Sequence, residues 1–291
     1  MKTILKMLMT VNSRSFKPLL PILFTVVMTI MSVQVSAQRT VWSVPKYRET
    51  VRTGSVAFGN SFVRDTYLSA SSYSGWAIGL ESDAWTGYNP DKLFRYGRSS
   101  GSVFFSPLKN RLKGGSTLEV GGSYRQAFLW PSVACKQCDL LIGPVVIGEG
   151  VLLWNRQYSS NNPVTFNGYF GVGICVDNTF RFSLFQYPMA LQASLYVPLT
   201  GIGFAPDYDQ TYYYMYEYGD WGKALHFVTP FNNPALTQQV ALVLPCRSSR
   251  IRIGYSFDYM GNNLGGHTRG LGNGMFTLGC VYRLETKDWC L

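Results

Sequence analysis

The chain has 291 residues, which is enough for one large domain or two small ones. Charged residues make up 14% of the sequence and aromatic residues 15%, whereas an ordinary soluble domain carries about 25% charged residues. The net charge of +10 comes from scattered basic residues with no long Lys/Arg tract, which argues against nucleic acid as a partner.

The first 37 residues have the features of a secretory signal peptide. A basic leader precedes an apolar run over residues 19–33, and Val35-Ser36-Ala37 places small residues where a signal peptidase cleaves. We therefore predict cleavage near Ala37, which lowers the net charge from +10 to +6 by removing the four basic residues Lys2, Lys6, Arg14 and Lys17. The alternative is an N-terminal membrane anchor, although the apolar run is short for a spanning helix.

The sequence after residue 37 contains no apolar run of the roughly 18 residues that a spanning helix needs. An exported chain of this kind is soluble, anchored or a β-barrel. No cysteine follows the leader closely, which argues against a lipoprotein anchor. Few charges together with 19 tyrosines favour a barrel with aromatic belts.

Alternation of apolar and polar residues predicts strands, because successive side chains of a strand point to opposite faces. Residues 38–65 are weakly patterned and predict either a periplasmic lead-in or a first strand. In the first half of the chain we expect, in order, a short strand near Ser55–Phe62, a strand from Ser74, a loop over 83–92, strands over 94–106 and 118–130, and an apolar segment over 140–155 with a glycine bend or bulge.

The second half repeats the pattern. Two paired strands over 166–176 and 179–184 are expected on either side of a turn at Asp177-Asn178. Further expected elements are a strand over 189–199, a short strand ending at Val228, strands over 239–244 and 251–259, a long Gly/Asn loop over 261–274 that includes a turn at 270–274, and a closing strand over 272–284.

At least seven of these segments have one apolar face opposite a face with polar or charged residues. This pattern predicts an all-β fold, an antiparallel transmembrane β-barrel of about 12 strands (range about 10 to 14) over residues 66–284, followed by a tail over 285–291. The charged residues expected in the lumen either line a pore or pair with one another and plug it: Glu119, Arg125, Arg181, Arg252 and Asp258.

The closing strand resembles the assembly signal of Gram-negative outer-membrane barrels. Its polar, glycine, aromatic and apolar positions are matched by Thr277, Gly279, Tyr282 and Leu284. The resemblance implies recognition by the barrel-assembly machinery. The seven residues after the strand, Glu285–Leu291, depart from the pattern, because the signal usually ends the chain.

Short sequence blocks also resemble an uncharacterised domain-of-unknown-function family of exported Gram-negative barrels. The blocks are Asp65-Thr66-Tyr67-Leu68-Ser69, Pro198-Leu199-Thr200-Gly201 with Pro206-Asp207-Tyr208 and Tyr212-Tyr213, and Arg252-Ile253-Gly254-Tyr255. The resemblance implies a barrel fold and an outer-membrane location, and it supplies no reaction.

The two histidines, His226 and His267, are the weak catalytic candidates. Lipid hydrolases of the outer membrane use a His-x-Ser arrangement in which the imidazole activates a serine. Neither histidine has a serine at that spacing, although Thr268 or a distant serine remains a possible partner for His267.

The acidic, aromatic run over residues 201–222 is the candidate binding surface. Aromatic faces and carboxylates together suit sugars or cations, and the residues proposed are Asp207, Tyr208, Asp209, Tyr212, Glu217 and Trp221. The alternative is an aromatic girdle next to a solvated loop, which barrels have in any case.

The cysteine pair Cys135-x-x-Cys138 predicts either a local disulfide or two free thiols, because no second pair of ligands at similar spacing points to zinc. We expect Cys246 and Cys280 to act as small hydrophobic residues. No cofactor and no metal are expected.

Taken together, the residues predict an outer-membrane protein of a Gram-negative bacterium, most simply a non-enzymatic channel or structural envelope protein. A lipid-modifying hydrolase is the alternative, and an exported glycan-binding β-protein is the second alternative. The expected partners are outer-membrane lipid and the barrel-assembly machinery, with glycans or small solutes as further ligands.

Overall fold

The structure is a computed structural model that describes residues 43–47, 49–66, 72–89, 91, 93–110, 115–156, 164–184, 187–206, 212–246, 249–264 and 268–285. The predicted signal peptide and residues 286–291 of the predicted tail lie outside this described part.

Within these residues the chain forms eleven β-strands, one short α-helix and one 3₁₀ helix. The strands are β1 (Glu49–Asp65), β2 (Ser72–Gly87), β3 (Tyr96–Lys109), β4 (Ser116–Ala134), β5 (Cys138–Asn155), β6 (Val164–Leu184), β7 (Tyr187–Phe204), β8 (Leu225–Val228), β9 (Ala235–Cys246), β10 (Ser249–Asn262) and β11 (Arg269–Glu285). The helix α1 (Tyr212–Tyr218) and the 3₁₀ helix (Trp221–Ala224) lie between β7 and β8 in the chain.

The alternating sequence pattern produces alternating burial, and β1 shows it over its whole length. Every second residue from Val51 to Asp65 is buried, and the residues between them are exposed. Ala57 is fully buried, whereas its neighbours Val56 and Phe58 are 55% and 60% exposed. Small and polar side chains thus point to one face and large apolar ones to the other.

Ten of the eleven described strands form a closed antiparallel ring. Strands β1 to β7 pair in chain order, β7 pairs with β9, and β9, β10 and β11 complete the series. β11 pairs with β1 from Glu49–Glu285 to Asp65–Arg269, which closes the barrel. The predicted all-β antiparallel barrel is confirmed, and its strand number lies at the lower end of the expected range rather than at 12.

The short strand β8 lies outside the ring and takes over an edge that β9 leaves free. β9 pairs with β7 from Ala190 to Tyr196, and β8 pairs with the same strand from Gly201 to Phe204. Both run antiparallel to β7. β8 therefore pairs with backbone groups of β7 that would otherwise lie unpaired at a strand edge.

The seam between β1 and β11 requires a glycine. A Cβ atom at Gly279 would lie 2.1 Å from the hydroxyl oxygen of Ser55 and 2.5 Å from the carbonyl oxygen of Gly54. Any side chain at this position therefore pushes the two strands apart.

The barrel is apolar outside, and its interior mixes polar, charged and apolar side chains. Every strand of the ring sends at least one buried polar or charged side chain inward, and buried apolar side chains such as Leu108, Leu129 and Met275 fill space between them. Large apolar side chains cover the outside and are exposed, among them Phe58, Leu80, Val103, Phe170, Val172, Ile253, Phe276 and Leu278. This distribution is the reverse of that in a soluble globular protein.

The two ends of the barrel differ in the length of their connections. At one end, the short-link end, lie the start of β1, the end of β11, three links of two or three residues (135–137, 185–186 and 247–248) and one link of eight residues (88–95). At the other end, the long-loop end, lie the connections 66–71, 110–115, 156–163, 205–234 and 263–268.

The predicted turn at Asp177-Asn178 is wrong, and the predicted loop over 83–92 begins only after Gly87, because polar residues lie within continuous strands. Asp177 and Asn178 are internal residues of β6, and Asp83 belongs to β2 rather than to a loop. Residues 269–274, expected in a Gly/Asn loop with a turn, begin β11. In each case one polar residue that faces inward, namely Asp177, Asp83 or Asn273, resembles a turn signal in the sequence.

The predicted glycine bulge over residues 140–155 is also wrong. β5 pairs in continuous register with β6 from Cys138 to Trp154. The irregular registers lie between Pro131 and Val133 of β4 and next to Leu199 of β7.

Among the described residues, no helix is both long and apolar enough to cross a membrane.

Candidate functional site in the barrel interior

Arg98 on β3 is the centre of a network of charged side chains that crosses the interior. Its Nη1 donates to Asp177 Oδ2 at 2.8 Å on β6 and to the hydroxyl of Ser194 on β7. Its Nη2 donates to Asp83 Oδ1 at 3.0 Å on β2 and to Gln239 Oε1 at 2.8 Å on β9. One side chain therefore connects four other strands.

Two aromatic rings pack against the same guanidinium. The Arg98 Cζ atom lies 4.4 Å from the centroid of the Trp85 ring and 5.4 Å from that of Tyr196. Trp85 Nε1 donates to Asp177 Oδ2 at 3.2 Å. The charge is thus stabilised by carboxylates and by the electron-rich faces of aromatic rings.

Arg252 on β10 extends the network. Its Nη1 donates to Asp83 Oδ2 at 3.1 Å, so Asp83 accepts from two arginines. The hydroxyl of Ser256, also on β10, donates to Glu81 Oε1 at 2.6 Å. These bonds join β10 to β2 across the interior.

Arg125 on β4 forms a second centre. Its Nη2 lies 2.6 Å from Glu149 Oε1, 2.9 Å from Asp258 Oδ1 and 2.9 Å from Thr237 Oγ1. The hydroxyl of Thr237 donates to Asp258 Oδ1 at 2.7 Å. The Tyr196 ring lies between the two centres, with its centroid 5.5 Å from the Arg125 Cζ atom.

Glu119 on β4 has a different environment. Its side chain is fully buried, and its Oε2 accepts a short hydrogen bond from Ser61 on β1. Its Oε1 has no hydrogen-bond partner among the described residues. Glu119 and Arg125 both line a cavity of about 50 Å³, together with Asn273 and Asp258.

Ion pairs lie near both ends of the interior. Near the short-link end, Arg181 pairs with Asp139 and donates to the carbonyl oxygens of Cys135 and Lys136 at 3.3 Å each. At the long-loop end, Arg269 Nε donates to Asp65 Oδ2 at 2.6 Å. Buried ion pairs therefore lie at several levels along the length of the barrel.

All five residues expected in the lumen point into the barrel. Arg125 and Asp258 pair with each other, Arg181 and Arg252 pair with Asp139 and Asp83, and Glu119 lines the cavity. Four of these five residues thus take part in ion pairs, and the choice between a pore and a plugged lumen stays a prediction. The sequence analysis missed Arg98, although alternation from Val103 and Phe105 on the outer face places residue 98 on the inner face.

The assembly-signal residues lie on β11. Thr277 and Gly279 face the interior, and Tyr282 is exposed on the outside. The backbone of Leu284 pairs with Thr50 on β1. The motif thus covers the half of the β1–β11 seam that is nearer to the short-link end.

The two catalytic candidates are not brought together in the described part of the chain. His226 lies on β8, and its Nε2 is 2.9 Å from the carbonyl oxygen of Ala205. His267 lies outside the described residues. The lipid-modifying hydrolase stays a prediction.

The candidate binding surface is described in part. Asp207, Tyr208 and Asp209 lie outside the described residues, and Tyr212 is the first residue of α1. Glu217 and Trp221 are exposed near the long-loop end. The Trp221 ring packs near the ring of Phe204 on β7, with centroids 6.4 Å apart.

Among the described cysteines, Cys135, Cys138, Cys175 and Cys280 are free thiols, which favours the second of the two predictions for the Cys135–Cys138 pair. The backbone N–H of Cys138 donates to the Cys135 Sγ at 3.1 Å. The described residues contain no group of three or more His, Cys, Asp or Glu side chains arranged to hold a metal ion.

Comparison with known protein families gives a match to the family described as "Protein of unknown function (DUF3316)" over residues 20–286. A comparison with curated proteins found no match. The match confirms the predicted resemblance to an uncharacterised family.

Proposed function

The chain belongs to the DUF3316 family, whose function is unknown, and we propose its role from its own geometry. The proposal is a non-enzymatic outer-membrane β-barrel with a closed lumen. The supporting observation is the reversed distribution of side chains. Phe276 on the outside is 69% exposed, whereas Arg98 on the inside is 1% exposed.

Lipid is the solvent that suits such an outer surface. Transfer of apolar surface out of water stabilises a protein by about 25 cal/mol per Å². In water the exposed surface of Phe58, Phe170 and Phe276, which is 60%, 66% and 69% of each residue, gains none of this energy. A closed ring satisfies the backbone hydrogen bonds that a hydrocarbon layer cannot satisfy.

Exposed aromatic side chains near both ends support the same proposal. Trp76, Trp154 and Phe166 lie near the long-loop end, and Trp130, Tyr187 and Tyr282 lie near the short-link end. Aromatic girdles at the two interfaces are typical of outer-membrane barrels, as are short connections at the periplasmic end and longer ones outside. We therefore assign the short-link end to the periplasm.

The interior favours a structural envelope protein over an open channel. Arg98 and Arg125 bind carboxylates on β2, β5, β6 and β10, so their side chains and partners occupy the lumen. An open pore instead requires a continuous water-filled path between rings of charged or polar side chains.

The location is tested by cell fractionation of the full-length protein expressed in a Gram-negative host. We expect the protein in the outer-membrane fraction, resistant to extraction by salt and by alkali, and solubilised by detergent. On gel electrophoresis the unheated sample should migrate differently from the boiled one, because a closed barrel resists unfolding by detergent. Recovery as a soluble periplasmic protein would exclude the proposal and favour the exported glycan-binding protein.

A further inference from the structure

The charges around the interior cavity do not balance. Among the described residues that line it are three carboxylates, Glu119, Glu149 and Asp258, and one guanidinium, Arg125. With all four groups ionised, the wall carries a formal charge of −2. Burial of unbalanced charge is costly, so the wall favours either a bound counter-charge or a proton on one of its carboxyl groups.

Arg125 does not compensate Glu119. Its Nη2 is already bonded to Glu149 and Asp258, at 2.6 Å and 2.9 Å. Glu119 has a hydrogen bond from Ser61 and no ion pair with any described residue. The carboxylate of Glu119 is therefore the group in the wall that lacks a counter-ion.

A second oxygen without a partner lines the same cavity. Asn273 on β11 is 6% exposed, and its Oδ1 has no hydrogen-bond partner among the described residues. The Oε1 atom of Glu119, which is 0% exposed, is in the same situation. The hydroxyls of Ser102 and Ser123, which bond to each other at 2.8 Å, add further oxygens to the wall.

We propose that this cavity binds one divalent hard cation of the Ca²⁺ class, with Glu119 Oε1 and Asn273 Oδ1 as its protein ligands and water as the remainder. Ca²⁺ takes carboxylate and amide oxygens, and it tolerates irregular coordination. A charge of +2 balances the wall. A cavity of about 50 Å³ has room for an ion with a few waters.

The chemistry of the wall separates this ion from other metals. Cysteine and histidine do not line the cavity, so soft and borderline metals lack their preferred ligands there. No three acidic, His or Cys side chains in the described part of the chain are arranged to ligate one ion directly. The ion is therefore held by one carboxylate, neutral oxygens and water.

The test uses full-length mature protein, refolded in non-ionic detergent without lipopolysaccharide and freed of metal with a chelator. Titration with Ca²⁺ in a calorimeter should give saturable binding with one ion per chain. The Glu119→Gln variant keeps the shape of the side chain and should bind Ca²⁺ at least about tenfold more weakly. The matched control is Asp91→Asn, because Asp91 is exposed in the link between β2 and β3, and the affinity of this variant should equal that of the wild type.

The Asn273→Asp variant tests the role of Asn273, the second proposed protein ligand of the ion. The added carboxylate should raise the affinity for Ca²⁺ by about tenfold, since ligand charge sets the affinity of such sites. This variant remains informative if Glu119→Gln does not refold.

Three results would overturn the proposal. The first is absence of Ca²⁺ binding to the wild type, or equal binding by Glu119→Gln. The second is displacement of Ca²⁺ by an equal concentration of Na⁺, which would make the site monovalent. The third is an infrared carbonyl band of a protonated carboxyl that is present in the wild type and lost in Glu119→Gln, which would show that a proton replaces the ion. None of these results bears on the location of the barrel.

Discussion

Arg98 is the residue that connects the largest number of strands through side-chain bonds described above. It lies on β3 and bonds to side chains on β2, β6, β7 and β9. Its charge is buried with two carboxylates, Asp83 and Asp177. Removal of one member of a buried ionic group leaves its partners charged and uncompensated, which costs more than the intact group contributes.

The Arg98→Met variant tests this role. Methionine keeps most of the length of the side chain and removes the charge. We expect the free energy of unfolding to fall by about 3 to 5 kcal/mol. Urea titration of the refolded protein in detergent micelles, followed by tryptophan fluorescence, measures the change.

The matched control is Arg95→Met, because Arg95 is exposed in the link between β2 and β3. We expect a change below about 0.5 kcal/mol there. Equal stability of the Arg98 variant and this control would show that the network does not stabilise the barrel.

The alternation of apolar and polar residues along a strand correctly predicts which side chains face the interior. Glu119 and Arg125 were assigned to the inner face of their strand, and both are buried there. Asp83 and Asp177 were assigned to turns, because isolated polar residues near Asn and Gly resemble turn signals. Their partners lie on other strands, and a single sequence does not identify such partners.

At the scale of elements, the closing strand combines two properties. β11 pairs with β1 along its full length and so forms the last seam of the ring. It also carries the motif Thr277, Gly279, Tyr282 and Leu284, for which we propose recognition by the barrel-assembly machinery. We expect folding in detergent to depend on the pairing of β11 with β1 alone, and folding in cells to depend on both the pairing and the motif.

The Tyr282→Ala variant separates them. Tyr282 is exposed on the outside, so its loss should leave refolding in detergent micelles unchanged. In cells we expect a several-fold lower amount of folded protein in the outer membrane, because we propose that the assembly machinery reads that position. Heat-modifiable migration on gels measures the folded amount in both cases.

Leu278→Ala serves as the control, since Leu278 is exposed on the same face of the same strand but lies outside the motif. Equal losses in cells for both variants would contradict an assembly role for Tyr282 and would point to a general effect of lost apolar surface.

At the scale of the whole molecule, the side chains inside the barrel decide whether it conducts. Arg98, Arg125 and Arg252 all bond to carboxylates from other strands, and ion pairs also lie near both ends. A ring of ten strands has a narrow interior, and these side chains and their partners occupy part of it.

We expect no steady conductance when the purified protein is inserted into planar lipid bilayers at neutral pH. Detergent without protein is the negative control, and an open porin inserted in the same bilayers is the positive control. A stable current step that is proportional to voltage would show that the lumen is open and would replace the structural role with a channel.

The sequence by itself determined the class of the fold, because a period of two is a local property that each strand carries in its own residues. It also determined which residues face inward on strands with clear alternation. The tertiary structure alone decided the number of strands in the ring, the course of β6 through Asp177 and the pairing of Arg98 with Asp83 and Asp177. These features depend on ring closure and on contacts between residues far apart in the chain, such as Ser61 with Glu119 and Glu81 with Ser256.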